Sequence, residues 1–155
     1  MAAPRKNHRG ASNRNGRELI DVTIPSDFGA SRQLQREVQA HLLAHHYSEE
    51  SFFAIKLALE EALLNAIKHG NRQDQSKQVH VRVTITPNQT EIVVEDQGPG
   101  FDRSTVPDPT LDENLEKCTG RGILLIESYM NKVQWSQGGR RLRMVRKNDR
   151  KPVVQ

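Results

Sequence analysis

Glu61 and Asn65 lie four residues apart in the run Ala58–Asn71, so a helix there stacks a carboxylate and an amide on one face. Lys68 follows three residues later on nearly the same face. Leu59, Ala62, Leu63, Ala66 and Ile67 flank these groups, placing a polar stripe beside apolar surface. Polar groups are costly there unless a ligand or metal satisfies them. The same stripe also suits the wet edge of an ordinary amphipathic helix. A second segment, Val94–Asp102, ends an apolar strand on Asp96 and then turns through Gly98 and Gly100. Glycines there permit a tight turn and the close approach of a flat ring. Surface turns often share that composition. In the third segment Gly120, Arg121 and Gly122 precede an apolar helix. Backbone N–H groups at a helix start, unobstructed by side chains, cradle phosphate oxygens. Arg121 is placed either to reach a terminal phosphate or to dock a protein. Together the three segments supply the parts of a nucleotide site.

Those residues need elements to hold them. Glu18–Ile24 alternates as a first strand stopped by Pro25. Ser31–His46 repeats apolar residues at Leu34, Val38 and Leu42, a helical period, with Leu43 beside the stripe. Ser48 suits the N-cap of a second helix that reaches about Lys68 and is ended by Gly70. Val79–Thr86 and Glu91–Glu95 are alternating β-branched runs joined through Pro87-Asn88-Gln89. Residues 101–119, with Pro107, Pro109 and many charges, read as a long irregular loop of the kind used as a lid. Gly122–Met130 reads as a helix, and Lys132–Ser136 with Arg140–Arg146 as a closing hairpin around Gly138-Gly139. This order predicts an α+β fold: a two-layer sandwich of a mixed, mostly antiparallel sheet with helices on one face.

At 155 residues the chain is long enough for one real core and not two. The predicted division is a disordered basic tail over 1–17, a single domain over 18–147 and a C-terminal tail over 148–155. The formal charge of +4 is local: Arg5, Lys6, Arg9, Arg14 and Arg17 precede the first acid. The remainder holds 18 of the 23 Lys and Arg against 19 Asp and Glu, too near neutrality for a nucleic-acid footprint. No stretch approaches the roughly 20 apolar residues of a membrane helix, and no apolar signal segment opens the chain. Cys118 is the single cysteine, as expected of a reducing cytoplasm, with no intramolecular disulfide. His41 and His45, with His46 adjacent, have a metal-gripping spacing but no evident third ligand. An exposed helix face is the plainer reading of them.

The three segments, in this order and with a lid between the last two, resemble the N, G1 and G2 boxes of the GHKL (Bergerat-fold) ATPase superfamily. Within it they are most similar to the small bacterial anti-sigma factor serine-protein kinases. The resemblance covers roughly residues 18–147. It implies a histidine-kinase-like ATPase fold, with ATP and Mg²⁺ as cofactors. Asn65 is then the Mg²⁺ ligand, a hard oxygen donor. Glu61 is the general base that accepts the proton of an attacking hydroxyl. Lys68 contacts phosphate, and Asp96 accepts from the adenine amino group. Gly98 and Gly100 admit the base, while Gly120, Arg121 and Gly122 hold phosphates. The implied activity is an ATP-dependent serine/threonine protein kinase that phosphorylates an anti-sigma factor antagonist of the STAS type. Its other implied partners are a sigma factor and a second copy of itself.

One departure stands out. The family commonly has a threonine after the glycine of the final hairpin, helping to hold adenine through water, whereas Arg140 and Arg141 follow Gly139 here. Two other readings compete with the kinase. One is a non-catalytic ATP-binding module that sequesters a partner. The other is the catalytic domain of a histidine kinase or a piece of a larger relative. Histidine kinases usually carry an amide where this chain has Glu61. The chain also shows neither a phosphoacceptor helix pair nor a transducer domain before it ends at Gln155.

Overall fold

The computed structural model describes residues 8–9, 16–100 and 118–149. The expected lid over 101–119 lies outside them, apart from Cys118 and Thr119, which are already helical. Six strands form one sheet: β1 (His8–Arg9), β2 (Glu18–Pro25), β3 (Gln78–Ile85), β4 (Gln89–Glu95), β5 (Lys132–Ser136) and β6 (Arg141–Lys147). Their spatial order is β1-β2-β3-β4-β6-β5, and every pairing is antiparallel. Among the described residues there are three α-helices: α1 (Phe28–Ala44), α2 (Glu49–Leu64) and α3 (Cys118–Tyr129). A stretch of π-helix, Asn65–Gly70, continues α2. Within the stretch read as a disordered tail, His8 and Arg9 pair with Asp21 and Ile20 at the sheet edge; the rest of 1–15 lies outside the described residues.

Strand alternation decides which side of the sheet meets the helices. Ile20, Val83, Ile92, Met144 and Val133 fall opposite one another in a single row across five strands. Val22, Val81, Val94, Leu142 and Trp135 form the next row on that face. All but Val133 and Trp135, which are partly buried and pack against it, belong to the same apolar cluster as Leu34, Val38 and Leu42 of α1, and Leu59 and Leu63 of α2. The opposite face alternates in charge: Asp21 stands beside His80 and Arg82, and Arg143 donates to Glu91 at 2.9 Å. The result is the two-layer α+β sandwich, with all of its sheet antiparallel.

Local chemistry sets the helix ends. Asp27 and Ser48 cap α1 and α2 by accepting from the N–H groups of Ala30 and Ser51, each at 3.1 Å. Helix α1 starts three residues ahead of the apolar period, because the cap and not the stripe fixes its first turn. Helix α3 begins at Cys118, so Gly120 and Gly122 lie within it and not ahead of it. Far from α3's start, the chain is tied by side-chain bonds. Tyr47 donates to the Thr86 carbonyl at 2.7 Å and accepts from Thr90 at 2.9 Å. Asn148 accepts from the Ser48 N–H at 3.0 Å, so the first residues of the expected C-terminal tail are fastened to the N-terminus of α2.

Asn71 fixes the end that bears the glycine turn. It is fully buried. Its amide donates to Ser26 Oγ and to the Gln78 carbonyl, both at 3.0 Å, and its oxygen accepts from the Gln97 N–H at 2.8 Å. Its own N–H reaches back to the Ala66 carbonyl at 2.8 Å. One side chain thus joins the exit of the π-helix, the ends of β2 and β3, and the turn after β4. Asn71→Ala should lower unfolding free energy by about 2–3 kcal/mol, because it strands several buried polar groups at once. A urea titration showing a lower midpoint at unchanged slope would bear this out; a loss below about 0.5 kcal/mol would refute it.

Candidate functional site

A cleft opens where the row Val94–Leu142–Trp135 passes beyond the helical cover. Its opposite wall is Ala62 and Ala66, small residues four apart on α2 and the π-helix, with Ile123 of α3 beside them. Larger side chains at 62 and 66 would fill the space against the sheet. Asp96 closes one end: two residues beyond Val94, it points to the same face of the sheet. Asn65, His69, Gly70, Gly100, Gly139 and Arg140 complete the rim. The cleft therefore offers apolar walls, a tryptophan and one carboxylate, which suits a flat ring carrying an exocyclic donor.

The turn bearing Asp96 is pressed between two neighbours. A Cβ on Gly98 would collide with the Gly70 carbonyl, and one on Gly100 with the Gly138 carbonyl. Gly100 also has φ of 78°, which disfavours other residues. Gly70 in turn leaves room for the Asp96 carboxyl itself. The Gly98 N–H donates to Asp96 Oδ1 at 2.8 Å, and the Asp96 N–H to the Arg140 carbonyl at 3.0 Å. Burial pushes the Asp96 carboxyl above its ordinary range; the Gly98 N–H and then the charge of Arg140 pull against that rise.

At the mouth the first and third sequence segments meet. Gly122 is buried, and a methyl group there would stand 2.7 Å from Glu61 Oε2 and 3.4 Å from Asn65 Nδ2. The missing side chain lets α3 close onto the acid–amide pair. Glu61 is half-buried, and its carboxyl is raised by burial first and by neighbouring Glu60 second. Asn65 Nδ2 is buried and has no hydrogen-bond partner among the described residues. Half a turn about its last torsion would put the amide oxygen, a hard donor, in the same place.

Other expected site residues fall elsewhere. Lys68 is exposed and does not line the cleft; His69 does. Asn65–Gly70 is wound with longer-spaced π-helical bonds, so the extra residue in the turn carries Lys68 away from the face that regular α-helical spacing assigns it. Such π-segments recur at functional sites. Burial, then the charge of Lys68, lowers the His69 pKa and favours its neutral form. Arg121 is also exposed, and Gly120 falls in the first turn of α3. Sequence reasoning assigned no part in the site to Trp135 or Asn71, and took His69 only as a residue well placed at a helix end. No local motif marks Trp135, but its alternation with Val133 places it on the helix-facing side. The alanines at 62 and 66 were a legible sign of a gap.

Comparison with known proteins agrees with this architecture. A model of the histidine kinase-like ATPase domain matches residues 24–146. The chain is 25% identical over 131 residues to the serine-protein kinase RsbW of Bacillus subtilis, spanning 78% of this chain and 79% of that one. It is 32% identical over 96 residues to RsbW of Bacillus licheniformis, across 57% of this chain and 59% of that protein's length. With the anti-sigma F factor of Clostridium perfringens, identity is 34% over 88 residues, 55% of this chain and 62% of that one. A crystal structure of the RsbU and RsbW domains of a Mycobacterium tuberculosis protein superposes with a TM-score of 0.54 at 14% identity. That match covers 84% of this chain and 31% of that one, and shows a shared fold. With its model matched from residue 24 to residue 146, the chain belongs to the histidine kinase-like ATPase domain family.

Proposed function

We propose that this chain is an Mg-ATP-dependent serine/threonine protein kinase of the anti-sigma type, which phosphorylates an anti-sigma factor antagonist and binds a sigma factor. The observation that carries the reading is the convergence of Glu61, Asn65 and Gly122 beside a cleft ended by Asp96. The names of the RsbW and anti-sigma F relatives support the partner classes. A STAS-type antagonist, a homodimer and a cytoplasmic location belong to the same reading. No helix among the described residues is long and apolar enough to cross a membrane.

In this reading adenine lies between Trp135, Leu142 and Val94 on one side and Ala62 and Ala66 on the other. Asp96 accepts from its exocyclic amine and disfavours guanine, which presents a carbonyl at that position. Asn65 would hold Mg²⁺. Among the described residues no group of three or more His, Cys, Asp or Glu is gathered for a metal. A lone amide oxygen fits an ion whose remaining ligands are phosphates and waters. When bound, Mg²⁺ would neutralise charge on the phosphates. Gly120, Arg121 and Gly122 are assigned to the phosphates, and Lys68 to a phosphate contact made by the ammonium at the end of its flexible stem.

Glu61 acts as the base. It takes the proton of a partner's serine or threonine hydroxyl as that oxygen bonds to the γ-phosphorus and the bond to the β-phosphate oxygen breaks, releasing ADP. A carboxyl held above its ordinary range by burial is a stronger base than an exposed one. A carboxylate at this place is also what a hydroxyl nucleophile requires.

The test is transfer of labelled γ-phosphate from Mg-ATP to candidate antagonists, measured together with nucleotide affinity. Glu61→Gln should bind ATP normally yet slow transfer by about 10²- to 10⁴-fold, the usual contribution of a general base. Unchanged transfer would remove Glu61 from that role. Asn65→Ala should abolish the Mg²⁺-dependent part of ATP affinity, and retained dependence would defeat the metal assignment. ATP binding without transfer to any antagonist would instead support a sequestering module.

A further inference from the structure

Arg140 stands where the sequence departs from the resembled family, and the structure places this exposed residue on the rim of the base cleft. It lines the rim, opposite the α2 wall. Its carbonyl accepts from the Asp96 N–H at 3.0 Å, one step beyond the pairing of Glu95 with Arg141 in the sheet. Its Cγ lies 3.4 Å from the place a Cβ on Gly100 would occupy, so its stem covers the outer side of the glycine turn. Its Nε donates to the Gln137 carbonyl at 3.1 Å, which bends the side chain back over its own hairpin.

We infer that Arg140 is a positioning residue for base recognition: its carbonyl fixes the Asp96 backbone, and its charge on the same cleft rim favours Asp96 as the acceptor that a purine amino group needs. This rests on the adenine-nucleotide reading of the cleft. A threonine here would offer a hydroxyl and no charge. Arginine offers a permanent positive charge on a stem that also shields the turn.

The groups facing Asp96 decide the sign. Burial disfavours its charged form. The Gly98 N–H, Arg140 and, more weakly, Lys77 favour that form, while Glu95 opposes it. His69, on the π-helix, shares the cleft and is itself biased toward neutrality. Nucleotide affinity that needs an Asp96 carboxylate is present above its folded pKa and lost as pH falls through it. Removing the Arg140 charge raises that pKa, so the loss moves to higher pH.

Two measurements test this. The first needs no nucleotide: titrate the Asp96 carboxyl carbon by NMR in wild type, Arg140→Gln and Arg140→Lys. The Gln variant should titrate at higher pH and the Lys variant close to wild type. The second follows ATP affinity from pH 5 to pH 8.5 through fluorescence of Trp135, the single tryptophan. Arg140→Gln should bind roughly two- to fivefold more weakly near the acid limb, the range of a partly exposed charge, and approach wild type at high pH. A pH-independent loss, or coincident profiles, would overturn the inference. So would an Asp96 midpoint unmoved by Arg140→Gln. Failure of the wild type to bind ATP, with the midpoint shifted as expected, would instead overturn the nucleotide reading and with it the role in base recognition.

Discussion

Helix α2 and its π-helical continuation must cover the sheet with part of their length and stand clear of it with another. The rest of the molecule follows from how that is done. Leu59, Leu63 and Ile67 are buried to within a few per cent and supply the cover. Each such side chain is worth about 1.5–3 kcal/mol of burial. Ala62 and Ala66, interleaved with them, are buried as well, but their small side chains face Val94 and Leu142 across a gap. The cleft is therefore produced by side-chain volume on one helix, without a break in the sheet. Interiors are otherwise packed to the density of organic crystals, so such a gap is informative.

Asn71 makes the gap durable. Between the end of the π-helix and the start of β3 the chain has to reverse beside the Asp96 turn. Exposed residues from Arg72 to Ser76 contribute no apolar anchor. A buried amide with both donors and its acceptor used replaces that missing anchor. The same network sets the height at which the Gly70 carbonyl meets Gly98, and hence where Asp96 presents its carboxyl. A polar network this well satisfied specifies a single geometry, which an apolar contact at the same place would not.

The sequence made most of the fold legible, for identifiable reasons. The alternating strands over Val79–Thr86 and Glu91–Glu95, the Ser48 cap and the hairpin at Gly138-Gly139 obey local rules of period and turn chemistry. The stacking of Glu61 and Asn65 followed from their spacing, whereas the Asp96-glycine turn took its meaning from the family resemblance. Three things were not legible. Regular α-helical spacing put Lys68 beside Asn65, whereas π-helical winding brings His69 to the cleft; that winding is a property of the helix exit and its tertiary ties. The start of α3 was placed four residues late, since glycines look like a boundary even when the preceding residues are helical. Trp135 and Arg140 reach the cleft only through pairing between strands, which a single segment does not reveal.

Glu61 and Asp96 show how one fold gives two carboxylates different environments, as the work proposed for each requires. Both are raised by burial, but the neighbours differ in sign. Glu61 has the neighbouring charge of Glu60 adding to its rise. Asp96 has a backbone N–H and a guanidinium opposing the same desolvation. The first environment favours accepting a proton, and the second favours accepting a hydrogen bond. Helix α2 carries Glu61 and the alanine wall of the cleft on successive positions, so the spacing between the two ends of the site is fixed by a rigid element. Gly122 then brings α3 against the Glu61 end without disturbing the Asp96 end. On the proposed reading, base recognition and phosphate chemistry can accordingly be altered separately, although one helical element positions both.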